Sequence, residues 1–305
     1  MRQREVAALL LAVVLVLPVL RGAERLVVAT AFLLEFAHPP ARTLTALTAA
    51  PLETARALPG VAADGFTARR LGTATPLVLV PGFAPEGKND GRVREAARLF
   101  ARAGFDVTVP TIPGLTTGRL RPDDTAPVVS ALLRSERPTV VVAVSVGSGP
   151  ALLAAADPRV RDRVALVVAL GGYASASELV RFYLTGDYRF GAEAGHRRHD
   201  PALVNAFVAA NADLLAPSAS LGELFEALSP LRVARDVRAR LVLIHGRDDP
   251  LVPFTESLRL AAARPEATSV VLLDSLGHIG SPDARPDWRA VARLWRIAYR
   301  LVQLG

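Results

Sequence analysis

Val140-Val141-Val142-Ala143-Val144-Ser145-Val146-Gly147 is the stretch on which the reading of the fold turns. Its first five residues are apolar and mostly β-branched, as in a strand covered on both faces in a parallel sheet. The apolar run breaks at Ser145, and residues 150–156 then read as a short helix stopped by Asp157-Pro158. A serine held in so tight a strand-to-helix turn needs small residues two places before and after it, because the backbone there is crowded. Ala143 and Gly147 meet that need. The turn presents the hydroxyl at a helix N-terminus, where free N–H groups and the helix dipole favour developing negative charge.

Similar apolar runs recur on either side, at residues 77–80, 107–109, 164–170, 241–244 and 270–273. Residues 93–102 have helical spacing and end at Gly104. Strands alternating with helices predict an α/β fold with a doubly wound, mostly parallel sheet. One interval is too long for an ordinary connection: about seventy residues separate the runs ending at Leu170 and starting at Leu241. It holds helical patterns at 176–183, 201–210 and 221–228 and no convincing strand. The expectation is a helical lid insertion, about 172–232, over the edge where open α/β sheets bind ligands.

Two further strand ends carry chemistry-bearing residues. Gly246-Arg247-Asp248-Asp249-Pro250-Leu251-Val252-Pro253 follows the fifth of the six strands, and Ser275-Leu276-Gly277-His278 follows the last. Two adjacent carboxylates cannot both point the same way at a strand end. A histidine just past a buried strand, behind a glycine, suits a general base at the sheet edge. These segments resemble the α/β-hydrolase superfamily, whose triad runs Ser, Asp, His in chain order. Here Ser145 stands in its nucleophile elbow, usually Gly-x-Ser-x-Gly, with Ala143 in the first glycine position. Asp249, rather than Asp248, falls in register with the acid of its Gly-x-x-Asp-x-x-Val-Pro segment, and His278 matches the base. The resemblance also implies an oxyanion hole from the backbone N–H groups of Phe83 and Val146. The segment Pro81-Gly82-Phe83 departs from the usual His-Gly pair by Pro81, which removes a bracing side chain but not the main chain. Pro110-Thr111-Ile112-Pro113-Gly114 matches a structural turn of the superfamily. The likeness covers residues 76–305, about three quarters of the chain.

Composition narrows the function classes. The chain has 305 residues, 51% apolar and 21% charged, which excludes a disordered or fibrous protein. With no cysteine it has no disulfide scaffold, thiolate metal site or cysteine nucleophile. The net charge of +7 comes from arginine, Lys88 being the sole lysine, and 6% aromatics argue against a base-stacking surface. Attraction to anionic lipid stays open.

The N-terminus reads separately. Residues 6–20 are an unbroken apolar run after Arg2 and Arg4, and a second apolar stretch covers 26–37. Fifteen helical residues span about 22 Å, against about 30 Å of hydrocarbon. The run suits a short anchor, a signal-peptide core or a buried helix. An uncleaved membrane anchor over 1–37 is the expectation, with release after Ala29-Thr30-Ala31 as the alternative; flanking arginines leave its sidedness open. Residues 38–65, polar after His38-Pro39-Pro40, read as a linker or packing arm with helical stretches at most, leaving 66–305 as the hydrolase-like domain.

Other histidines have plainer readings. His196, His199 and Asp200 suggest a solvated loop rather than a metal site, and His245 a structural role. In the last helix, 288–304, Arg289, Arg293, Arg296 and Arg300 share one face, while Val291, Leu294, Trp295, Ala298 and Leu301 lie mainly on another. A helix packed on the sheet with a basic solvated face is expected, a membrane-surface role being the other reading.

Together these residues imply a serine hydrolase acting through an acyl-enzyme on a small-molecule ester or related acyl compound, lipid-like in character. No metal or organic cofactor, nucleic acid or obligate protein partner is called for. An acyltransferase using the same triad, or a non-catalytic, membrane-tethered binding protein on the same fold, are the alternatives.

Overall fold

The computed structural model describes residues 21–68, 74–212, 221–274 and 288–305. The apolar run at 6–20 and His278 lie outside them. Helix α1 spans 21–37, followed by the short α2, Thr43–Leu47. Strands β1 (Leu52–Leu58), β2 (Val61–Thr67) and β3 (Thr75–Val80) lead into α3 (Gly91–Arg102), β4 (Phe105–Pro110) and the short α4 (Pro113–Thr117). Then come α5 (Thr125–Leu133), β5 (Thr139–Val144), α6 (Ser148–Ala155) and β6 (Val164–Leu170).

Between β6 and the next core strand lie α7 (Ala176–Thr185), α8 (Pro201–Ala210) and α9 (Leu221–Leu228). The insertion expected to be helical also holds a hairpin, β7–β8 (Asp187–Phe190 and Glu193–His196), whose four-residue strands alternate half-buried and exposed and so carry no apolar run. The chain closes with β9 (Arg240–Gly246), α10 (Thr255–Ala263), β10 (Thr268–Leu273) and α11 (Trp288–Leu304).

The main sheet has eight strands in the order β1-β2-β4-β3-β5-β6-β9-β10. Pairs β1/β2 and β2/β4 are antiparallel, and the rest are parallel. The chain runs outward from β3 to β4, then returns past β3 to build β5, β6, β9 and β10 on the other side. Connections leaving β3 and β5 therefore cover opposite faces, which makes their carboxyl ends the switch point at which open α/β sheets bind ligands.

Alternation explains the apolar runs. In β5, Val140 and Val142 join the core with α1, α3 and α11, whereas Val141 and Ala143 join the core with α5, α6 and α10. All four are essentially inaccessible, and burying each valine side chain is worth about 1.5–3 kcal/mol. A polar residue at any of them would face a hydrocarbon core on one side or the other.

The arm expected over 38–65 is in part sheet. Strands β1 and β2 form a hairpin whose register runs from Leu52↔Thr67 to Leu58↔Val61, and β2 pairs with β4. The hydropathy pattern conceals this because β1 is an edge strand with no fully buried residue. Strand β2 buries only Ala63, Gly65 and Phe66. Polar contacts fasten it instead. Arg56 lies across Gly65, where any Cβ would overlap its guanidinium, and reaches Asp106 and Thr67. Asp64 pairs with Lys88 at 2.9 Å and Arg94 at 3.1 Å.

The apolar stretch at 26–37 is likewise built into the domain. Helix α1 buries Val28, Ala29, Ala31 and Phe32 in the core with Phe100 and Leu294. Its Glu35 accepts hydrogen bonds from the Thr45 amide (2.8 Å) and hydroxyl (2.5 Å). Among the described residues, no helix is long and apolar enough to cross a membrane.

Candidate active site

The switch point between β3 and β5 is flanked by the turns that follow them. Val80 pairs with Ala143 across the two strands, which sets Pro81-Gly82 beside Val144-Ser145. Ser145 has φ = 51°, and Arg42 is the other non-glycine residue with positive φ among those described. For a residue with a Cβ, this left-handed conformation costs roughly 1–2 kcal/mol, and it persists where packing enforces it. Glycine enforces it here. A Cβ on Gly147 would overlap the Pro81 carbonyl oxygen, and one on Gly82 would stand 3.2 Å from both Ser145 Cβ and the Val144 carbonyl oxygen. Ala143, by contrast, points into the core, where its methyl group is accommodated.

After a single 3-10 turn, Ser145–Gly147, the chain enters α6, so Ser145 stands at the start of that helix. This strained strand–serine–helix turn, at the carboxyl edge of a parallel sheet, has the geometry of a nucleophile elbow. Solved structures of several hydrolases follow a similar backbone course. The chain has the α/β-hydrolase fold.

Among α/β-hydrolases, the Pyrococcus horikoshii acylaminoacyl peptidase superposes with a TM-score of 0.58 at 16% identity, over 84% of this chain and 42% of that one. The 2,6-dihydroxy-pseudo-oxynicotine hydrolase gives 0.56 at 16% identity, over 83% of this chain and 68% of its own. A Pyrococcus furiosus esterase gives 0.52 at 15% identity, over 83% and 91%. The chain thus spans less than half the length of the peptidase. No protein-family model and no curated protein matches its sequence.

On this α/β-hydrolase scaffold Asp249 occupies the turn after β9. Its Oδ1 accepts hydrogen bonds from the amides of Leu251 (2.8 Å) and Val252 (3.0 Å). Its Oδ2 faces the end of β6, 3.0 Å from where a Gly171 Cβ would stand, and Gly171 itself has φ = 61°. The carboxylate is thus fixed by one oxygen, while the other lies at the sheet edge, 3.5 Å from His245 Nε2. Its neighbour Asp248 is half-buried.

His245 lies behind this turn, fully buried, with Nε2 2.9 Å from the Val252 carbonyl and Nδ1 2.8 Å from Ser257 Oγ. A carbonyl only accepts, so Nε2 carries the proton and the Ser257 hydroxyl donates to Nδ1. Both ring nitrogens are occupied in bracing the acid loop. Phe83, after β3, is exposed, and its carbonyl accepts from Arg92 at 3.3 Å. Val146 follows Ser145 and is half-buried.

The helices inserted between β6 and β9 cover these loops. Tyr173, Leu179, Tyr183 and Leu228 form an apolar cluster with Val252, against which Val146, Leu251, Phe207, Leu224 and Phe225 pack. Tyr183 stacks on Phe207 at 4.2 Å, and burial pushes its phenol up to about 12.

Several residues that hold this cover were not singled out by the sequence. The Tyr173 ring lies where a Gly149 Cβ would be, and its buried hydroxyl donates to the Leu228 carbonyl at 3.0 Å. Burial raises the phenol's pKa, keeping it a donor. Ser148 Oγ accepts from the Tyr173 amide at 3.0 Å. Asn211, also buried, accepts from the Leu120 amide (2.9 Å) and donates to the carbonyls of Gly118 (3.0 Å) and Phe207 (2.9 Å). Buried polar residues at helix ends are the available signal for such ties, but a sequence does not tell which helix ends are buried.

The 196–200 loop is more engaged than a solvated one. His199 lies within 3.0 Å of the Pro250 carbonyl and 2.8 Å of the Phe182 carbonyl, while its ring stacks on Tyr183. His196 meets Asp187 at 2.9 Å, and Asp200 caps α8 through the Ala202 amide at 2.9 Å.

Proposed function

We propose that this protein is a serine hydrolase that cleaves a carboxylic ester of a small, apolar acyl compound. The observation that carries the reading is the left-handed backbone of Ser145 at the head of α6, wedged between Gly82 and Gly147. Strain held at one polar residue beside the switch point of the sheet supports a functional role for it.

In this mechanism His278 accepts the Ser145 proton as Oγ attacks the carbonyl carbon. Asp249 fixes the imidazole tautomer and stabilises the imidazolium. The tetrahedral oxyanion sits against the amides of Phe83 and Val146, each donor being worth about 3 kcal/mol in the transition state. His278 then protonates the leaving alcohol, and water, deprotonated by the same histidine, releases the acid and restores Ser145. The apolar cluster over Val146 and Leu251 favours an acyl group that is itself apolar. The likeness to peptidases and esterases supports hydrolysis as a class.

Fluorophosphonate labelling tests this directly. Wild-type protein is expected to label and to turn over p-nitrophenyl esters, with Ser145→Ala and His278→Ala abolishing both. A folded wild type that neither labels nor cleaves esters of any chain length sinks the proposal.

A further inference from the structure

Helix α1 divides its surface sharply. Val28, Ala29, Ala31 and Phe32 face the core, while Leu26 (44% exposed), Val27 (54%) and Leu34 (53%) share the outer face with Thr30. Single exposed leucines are commonplace, but an apolar face along one helix is not. Helix α11 continues that face. Trp295 Nε1 donates to Thr30 Oγ1 at 3.0 Å and its indole stacks on Tyr299, with ring centroids 5.3 Å apart. Trp288, 73% exposed, lies on the same side of α11. Beside this aromatic ridge stand the exposed Arg293, Arg296 and Arg300, and α11 contains no acidic residue. Exposed Arg21 and Arg25 lie at the start of α1, opposed there by Glu24; its other acid, Glu35, is buried against Thr45.

We propose that the joint outer face of α1 and α11 is a contact surface for an anionic lipid bilayer. The order of side chains across it is apolar, aromatic, then cationic, the order of a helix lying in a membrane interface. Tryptophan and tyrosine suit the headgroup level, and arginines beside them suit anionic headgroups. In the sequence, the apolar run at 6–20 immediately precedes α1. Charge argues against a second copy of the same surface, which would oppose arginine to arginine. A nucleic acid would leave Leu26, Val27 and Leu34 in water.

Both tryptophans of the chain lie on α11, so intrinsic fluorescence reports on this surface and not on residues 6–20. Full-length protein would be mixed with phosphatidylcholine vesicles, with or without 30% phosphatidylglycerol, and followed by flotation and tryptophan emission. The expected result is stronger partitioning to the anionic vesicles, a blue shift, and quenching by brominated lipid.

The Arg293→Glu/Arg296→Glu/Arg300→Glu variant, with exposed sites and an unchanged melting curve as its folding control, should lose roughly 100-fold in anionic partitioning. Its binding to neutral vesicles should be unchanged. Flotation without any change in tryptophan emission overturns the proposal, since the protein would then be held by another segment. So does an anionic preference that survives the triple substitution, or no preference in the wild type.

Discussion

Gly147 stands so close to Pro81 that no side chain fits between its Cα and the Pro81 carbonyl oxygen. The turn after β5 and the turn after β3 are therefore locked against each other, and Ser145 is held between them. Gly147→Ala forces these two backbones apart. It is expected to lower stability by about 1–3 kcal/mol, as overpacking does, and to reduce fluorophosphonate labelling by at least tenfold in protein that is still folded. Urea unfolding and labelling rates measure the two effects. Wild-type values for both would show that the contact does not set the position of Ser145.

Asp249 and Asp248 are separated by one bond of chain and by their surroundings. The Asn side chain in Asp249→Asn can still accept from the Leu251 and Val252 amides, so the loop should keep its shape while losing the negative charge. A fall of about 10³–10⁴ in kcat for ester hydrolysis, with little change in KM, is expected. Asp248→Asn should stay within a few-fold of wild type. The opposite ranking would move the acid to Asp248.

Asp124 accepts a hydrogen bond from the Gly114 amide at 2.8 Å with 3% of its surface exposed. Burial raises its pKa to about 6, partly opposed by that hydrogen bond. The folded protein therefore binds this proton more tightly than the unfolded chain. The associated stabilisation is complete below about pH 4 and is lost as pH rises through about 6. Over that window it amounts to about 3 kcal/mol at most. Asp124→Asn should flatten the stability curve between pH 4 and 6.5, and gain less than this at pH 8 because its NH2 adds buried donors. An unchanged slope in chemical denaturation across that range would refute the assignment.

Glu256, buried beside the root of the inserted helices, accepts from the amides of Ala174 (3.0 Å) and Ser175 (2.8 Å) and from Arg259 Nε (3.1 Å). Glu256→Ala leaves two buried amides without a partner and should cost about 3 kcal/mol or more. Glu256→Gln retains a carbonyl oxygen for the amides and should cost less than half as much. Thermal melts of the two variants compare them, and equal losses would mean that volume, not hydrogen bonding, is what Glu256 supplies.

Legible from the residues alone are the layered sheet and the candidate residues at its edge. Strands β3 to β6, β9 and β10 are legible because parallel strands buried on both faces must be apolar at nearly every position. Ser145 and Asp249 are legible because each follows such a strand in a short, glycine-bearing turn. Tertiary structure alone decided the hairpin β1–β2, whose exposed edge carries no apolar signal and whose hold on the sheet runs through Arg56, Asp64 and Asp106. It also decided that α1 packs into the domain, since apolar residues facing a core and facing a membrane look alike in sequence. The ties made by Tyr173, Asn211 and His199 belong to the same class. Each joins segments far apart in the chain, and a hydrogen bond between them exists only once the fold has brought its donor and acceptor together.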